Sequence, residues 1–248
     1  MFLRLNEKSC EMEKNNIVIG IEGLVGSGKT SICREMLKRD ENTVLLNGGN
    51  LYRAIVYAIL QKEKNLFRLK RVLKNANIKQ YMDDFNVEIK IEGRESKIYI
   101  DGKLADEEEL QSKASSLAVS VVGGIADNTK LFEFSRNLID ELKKENNVIV
   151  SGRALMEIYP KLDYHLFVTA SLEERVNRKC IQYKEKNKKS IKRNIKARDR
   201  LQKVAGFYKI YLNTIQIDVT ECKTVEESTD KVLSFINTEI RGEKNGIC

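Results

Sequence analysis

Asn16-Ile-Val-Ile-Gly-Ile-Glu-Gly-Leu-Val-Gly-Ser-Gly-Lys-Thr-Ser31 is the stretch on which the reading of this chain turns. Ile17, Val18, Ile19 and Ile21 read as a buried strand. Gly23 to Thr30 match G-x-x-x-x-G-K-[ST] at every fixed position. Gly23, Gly26 and Gly28 permit positive φ and close backbone approach, so that successive N–H groups can surround phosphate oxygens. Ser27 and Ser31 fall in the same phosphate-binding set. Lys29 brings a point charge to the β- and γ-phosphates, and Thr30 offers a hydroxyl to Mg²⁺. The helix that starts near Lys29 adds its positive dipole end. A nucleoside triphosphate is the ligand this segment predicts.

The rest of the composition narrows the class. The chain has 248 residues, 42% of them hydrophobic, with one proline, no tryptophan and no long Gly/Ser tract. That is enough apolar matter for a large core, and no linker announces itself. No apolar run approaches the ~20 residues that span a bilayer. Met1 to Asn15 mix charges without a signal-peptide apolar core, so a cytoplasmic location is expected. Cys10, Cys33, Cys180, Cys222 and Cys248 are scattered without metal-ligand spacing and read as reduced thiols. The net charge is +8. Its densest basic segment, Arg175 to Lys203, holds few aromatics for base stacking. A lysine-rich surface with a basic phosphate site is therefore expected, without specific nucleic-acid binding.

Periodicity gives the remaining elements. Helices are expected over Ser31–Arg39, Leu51–Gln61, Leu66–Asn75, Glu107–Val122, Lys130–Lys144, Ile191–Val204 and Val225–Ile240. Ser171 is an N-cap for a further charged helix. Strands are expected over Thr43–Leu46, Val148–Val150, His165–Val168 and Thr214–Val219, with Asn47-Gly-Gly-Asn50 stopping the first of them. Val87, Ile89 and Ile91 alternate with charges, as do Ile98 and Ile100 beyond the turn Glu92-Gly-Arg-Glu95, which predicts an inserted hairpin. Strands alternating with helices after a phosphate loop imply an α/β fold with a doubly wound parallel sheet. Its ligands should lie at the carboxyl ends of the strands, where Gly23–Thr30 and Ser151–Arg153 both fall.

Phosphoryl transfer needs charge neutralisation and in-line positioning more than covalent help. Arg53 and Arg153 are candidate phosphate clamps. Arg175, Arg178 and Arg198 lie on basic helices of the kind that cover a transferring phosphoryl group. Glu22 either orients a metal water or substrate hydroxyl, or structures the loop. His165, the sole histidine, sits in an apolar strand and reads as a packed residue rather than a base.

With these residues in view, the chain from about Asn16 to Ile240 resembles the bacterial cytidylate kinase family of nucleoside monophosphate kinases. Leu45-Leu-Asn-Gly-Gly-Asn-Leu-Tyr-Arg53 is similar to that family's L-D-S-G-x-x-Y-R, and Ser151-Gly-Arg153 to its D-G-R-D. Tyr159-Pro160 falls at its Phe-Pro. Ala170-Ser-Leu-Glu-Glu-Arg-Val-Asn-Arg178 is similar to A-S-x-E-E-R-A-x-R, and Ile195-Lys-Ala-Arg-Asp199 to I-x-x-R-D. The hairpin ending in Ile98-Tyr-Ile-Asp-Gly-Lys-Leu104 resembles the family's enlarged monophosphate-binding insert.

The resemblance implies a P-loop kinase domain over residues 15–248 after an N-terminal extension over 1–14. An acceptor-binding lobe would lie near 51–112 and a helical lid near 173–203. ATP and Mg²⁺ would be the cofactors, and CMP, dCMP or a similar small phosphorylated molecule the acceptor, with a monomer or weak homodimer as the working form. Lys29, Arg153, Arg178 and Arg198 would be catalytic. Asn47, Gly48, Tyr52, Arg53 and Arg153 would hold the acceptor, and Thr30 and Ser151 the metal. Asn47, Ser151 and Ala154 stand where the family has acids, Gly48 where it has serine. Leu201, Gln202 and Ala205 replace further Arg and Asp positions. A kinase of the same fold with another acceptor, and a non-catalytic ATP-binding regulator, both stay open.

Overall fold

Side-chain alternation on the strands sets the layers of this fold. In the computed structural model, which describes residues 16–62, 71, 73, 74, 76–112, 115, 118, 119 and 122–244, β1 (Val18–Gly23) is buried along its whole length. Ile19 and Ile21 face one side together with Leu45 of β2 (Thr43–Asn47) and Ile149 of β6 (Asn147–Ser151). Val18, Val44, Leu46, Val148 and Val150 face the other. Strands apolar on both faces need a helix layer on each side. The first face receives α1 (Lys29–Arg39) and α9 (Val225–Lys244), through Ile32, Met36, Val232 and Ile236. The second receives α5 (Thr129–Lys143) and α6 (Leu155–Ile158), through Ile139 and Leu155. Gly20 lacks a side chain where Leu162 presses on the strand; an added Cβ would meet Leu162 Cδ1 at 2.5 Å.

The sheet order is β3-β4-β2-β6-β1-β7-β8, with β5 (Lys103–Leu104) pairing to β4. β2, β6, β1, β7 (Tyr164–Thr169) and β8 (Thr214–Asp218) are mutually parallel, as expected for a doubly wound sheet. The hairpin of β3 (Val87–Glu92) and β4 (Glu95–Ile100) turns at Gly93 and Arg94, with φ of 56° and 66°. Two successive positive φ values are the mark of a two-residue type I′ turn. The hairpin has its own apolar packing but does not stand apart. Leu45 N–H donates to Arg94 O at 2.8 Å, which stitches β4 to the edge of β2. The Arg94 guanidinium donates to the carbonyls of Leu37 and Asp40 and fastens the same corner.

Two expected boundaries shift. α2 (Gly48–Lys62) starts three residues before Leu51, because Asn47, where β2 ends, also caps the helix: Asn47 Oδ1 accepts Asn50 N–H at 3.2 Å. The helix expected over Glu107–Val122 is interrupted. α4 (Glu107–Leu110) ends at Gln111, and Ser112 Oγ then accepts Ser115 N–H at 3.3 Å, a new cap that restarts the chain. The helix expected over Leu66–Asn75 and the extension over 1–14 fall largely or wholly outside the described residues. α2, α3 (Ile78–Asp84), α4 and the hairpin enclose a separate apolar cluster that includes Ile55, Ile78, Val87, Ile98 and Leu110. α7 (Leu172–Gln182) and α8 (Lys188–Val204) form the basic pair above the phosphate loop, seated on Val25 through Val176, Ile191 and Ile195. Among the described residues no helix is long and apolar enough to cross a membrane.

Candidate functional site

The carboxyl ends of β1, β2 and β6 meet on one edge of the sheet. They bring together the Gly23–Thr30 loop, Asn47 and Ser151–Arg153. Gly23, Gly26 and Gly28 have φ of 149°, 80° and 97°. A Cβ at Gly23 would lie 2.0 Å from Val168 O, so only glycine lets the loop leave β1 this close to β7. Lys29 folds back over the loop and donates to Gly23 O at 3.1 Å and Leu24 O at 3.3 Å. Thr30 lines the adjoining cavity, Ser27 is fully buried with its hydroxyl unpartnered, and Ser31 is exposed on the first turn of α1.

Cations dominate the space above the loop. Burial holds Lys29 well below the ordinary lysine value, helped by the charges of Arg153, Arg53 and Lys179. Burial, Arg198 and Arg153 push Arg53 down to about 10. Arg198 is lowered by burial and by Arg153, against Tyr183 and Tyr208, which favour its charge. Lys179 is pushed down to about 7 by burial, Arg198 and Arg53. Five mutually repelling cations close together suit an anion: a bound polyanion would remove the repulsion that each imposes on the others. Lys179 is the member that motif reading missed. It lies four residues beyond Arg175, one turn on along the same helix face, and its stem would touch a Cβ at Gly26.

The other expected residues take varied places. Arg53 Nη1 reaches Asn50 Oδ1 at 3.4 Å, and Gly49 leaves room for its guanidinium over the first turn of α2. Asn47, Gly48, Tyr52, Arg53, Ser151 and Arg153 all line one cavity of about 160 Å³ with Lys29 and Thr30. Arg153 donates to Gln202 Oε1 at 2.9 Å and Gly152 O at 2.8 Å. Ser151 bonds the Cys33 thiol, whose titration burial pushes up to about 12. Arg178 lies elsewhere. It donates to the carbonyls of Ser27 at 2.9 Å and Val219 at 3.0 Å, and to Glu174 at 2.9 Å, which makes it a brace beneath the loop rather than a group over the donor. Arg175 ties α7 to the loop through Val25 O at 3.1 Å and to α8 through Asp199 at 2.6 Å.

Glu22 is 2% exposed, and its carboxylate accepts Leu155 N–H at 2.6 Å. It therefore structures the turn that presents Arg153. His165 is packed, with Nδ1 2.8 Å from Thr214 Oγ1 and its ring edge-on to Tyr211. Among the described residues no group of three His, Cys, Asp or Glu side chains is placed to hold a metal.

The cytidylate kinase family model matches residues 19–238. The chain belongs to the cytidylate kinase family. The cytidylate kinase of Clostridioides difficile (strain 630) is 27% identical over 235 residues, covering 90% of this chain and 99% of the relative. That of Fusobacterium nucleatum subsp. nucleatum is 28% identical over 245 residues, covering 93% and 100%. Among solved structures, TT1252 from Thermus thermophilus is 20% identical, covers 91% of this chain and 98% of its own, and superimposes with a TM-score of 0.42. Family membership makes the protein a nucleoside monophosphate kinase-like phosphotransferase and implies ATP-dependent catalysis.

Lys179 gives this site a measurable proton signature. Its value of about 7 lies below the ordinary 10.5, so at about pH 8 the free protein holds it largely neutral. A polyphosphate favours the charged form, so ATP binding at that pH is expected to take up about one proton through Lys179. Calorimetry in buffers of different ionisation heat reads this number directly. Lys179→Met is expected to lower the uptake by about that proton, and an unchanged uptake would assign the titration to another group.

Proposed function

We propose that the protein transfers the γ-phosphoryl group of Mg²⁺·ATP to the phosphate of CMP or dCMP. The observation that supports this reading is the ring of Lys29, Lys179, Arg53, Arg153 and Arg198, which spans from the triphosphate loop to the acceptor cavity. Two phosphate-bearing substrates that must approach end to end need such a bridge of positive charge.

In this reading the N–H groups of Gly23–Thr30 cradle the ATP phosphates, and Lys29 swings from the Gly23 and Leu24 carbonyls onto the transferring group. Arg53 and Arg153 hold the acceptor phosphate in line, while Arg198 and Lys179 cover the donor side. Mg²⁺ fits the donor set available, since it keeps most of its water and binds chiefly through substrate phosphates. Thr30 supplies a hydroxyl for it, with Ser151 at the neighbouring strand end, and the ion would neutralise charge between the β- and γ-phosphates.

Asn47, Ser151 and Ala154 in place of acids favour a second reading, a kinase of this fold with a different phosphorylated acceptor. A screen of ADP release over CMP, dCMP, UMP and other phosphate monoesters separates the two. Release that depends on CMP or dCMP is expected. ATP binding with no acceptor-dependent release would assign the protein to ATP-dependent regulation instead.

A further inference from the structure

We propose that Glu107 is a positioning residue for the acceptor phosphate, acting through Asn50 to hold the Arg53 guanidinium. This rests on the phosphoryl-transfer reading above and adds to that site a residue that does not line its cavity.

Arg53 has little to hold it still. Arg198 and Arg153 both repel its charge. Gly49 leaves room for the guanidinium, since a Cβ there would lie 3.0 Å from Nη1. Its Nε is buried without a hydrogen-bond partner. Among the described residues, the acceptor that meets this side chain is Asn50 Oδ1, 3.4 Å from Nη1.

Asn50 is 7% exposed, and its backbone N–H donates to Asn47 Oδ1 at 3.2 Å. Its Nδ2 donates to Glu107 Oε1 at 3.3 Å. A carboxylate only accepts and a guanidinium only donates, so one orientation of the amide satisfies both neighbours. Glu107 thereby turns Asn50 Oδ1 towards Arg53. Its carboxylate also favours the charge of Arg53 against Arg198 and Arg153.

Glu107 is itself held on several sides. It opens α4, and Arg34 Nη2 donates to its two oxygens at 2.8 and 2.6 Å. Gln111 Nε2 donates to Oε1 at 2.7 Å. Arg34 lies on α1, the helix that begins at Lys29, whereas Asn50 and Arg53 lie on α2. One carboxylate therefore joins the helix of the phosphate loop to the helix of the acceptor clamp. A half-exposed ion pair adds little stability, so the contribution of this node lies in where it places Arg53.

Glu107→Gln keeps the shape but puts an amino group among donors that need an acceptor. In the substrate-free protein, the Nη signals of Arg53 in ¹⁵N NMR are expected to be resolved in the wild type and averaged in Glu107→Gln. With Mg²⁺·ATP, the KM for CMP is expected to rise about tenfold in that variant, while kcat and the KM for ATP stay within about twofold. Asn50→Leu, which leaves the Arg34–Glu107 bridge in place, is expected to give both changes. Glu95→Gln, which removes the other carboxylate on Arg34 and leaves Asn50 untouched, is expected to give neither. Arg53 signals already averaged in the wild type, unchanged signals or an unchanged acceptor KM in folded Glu107→Gln, or the same changes from Glu95→Gln would overturn the inference. Loosened Arg53 signals in Glu107→Gln, with a wild type that turns over neither CMP nor dCMP, would overturn the acceptor reading and leave Glu107 as the residue that holds Arg53.

Discussion

Lys29→Ala is expected to lower kcat by three or more powers of ten and to leave the free protein as stable as before, or more so. The first half follows from the charge that develops on the transferring phosphoryl group. A preorganised cation at that position in a water-poor site contributes on the order of 4 kcal/mol, which is about a thousandfold in rate. The second half follows from the site's own electrostatics. Lys29 is half-buried, its amino group donates to the carbonyls of Gly23 and Leu24 among the described residues, and Arg153, Arg53 and Lys179 all disfavour its charge. Removing it relieves repulsion in the unliganded protein. A steady-state assay and a thermal melt without nucleotide check both halves. A folded variant with more than about a tenth of wild-type turnover would remove Lys29 from the chemistry.

The split between a rate that collapses and a fold that holds also marks what was legible in the sequence. The loop was legible because each of its residues answers a local demand: glycine at positive φ, lysine at the phosphates, an apolar strand before it. The parallel core was legible because Ile19 and Ile21 face one layer and Val18 faces the other. Asn47 was legible as the end of β2 but not as the cap of α2, because an asparagine followed by two glycines breaks a strand without marking a helix start. Three-residue spacing from Asn47 to the Asn50 N–H was the signal that carried the answer. Stitching of the hairpin onto β2 was not legible, since it depends on a long-range meeting of Arg94 with carbonyls 51 to 57 residues away. Lys179, not Arg178, joins the cation cluster for a related reason. Motif similarity ranks residues by type, whereas the helix rotation decides which of two neighbouring cations couples to Lys29 and Arg53 and which bonds the main chain.

That placement predicts opposite phenotypes for two arginines that look alike in sequence. Arg153 is presented by the turn through Ala154, which the buried Glu22 carboxylate holds at Leu155 N–H, and it faces Lys29 and Arg53 across the cavity. Arg153→Ala is expected to lower kcat/KM for the acceptor by about two powers of ten, since each charge-assisted bond to a phosphate is worth roughly 1.5–3 kcal/mol. Its melting temperature should change little, because its main protein partners are Gln202 and one carbonyl. Arg178 makes the reverse case. Its bonds to Ser27 O, Val219 O and Cys222 O tie the phosphate loop to the far end of the sheet. Arg178→Ala leaves those carbonyls without a donor, at a cost of about 1–3 kcal/mol for each that is cut off from water. Its melting temperature is expected to fall and its ATP affinity to weaken with the loosened loop, while the acceptor KM at saturating ATP stays near wild type. Initial-rate kinetics with each substrate varied in turn, alongside thermal melts, separate the two patterns. A stable Arg178→Ala protein whose kcat collapses at saturating ATP would return that side chain to a catalytic place over the donor. An Arg153→Ala protein that melts early with an intact acceptor KM would make Arg153 the brace instead.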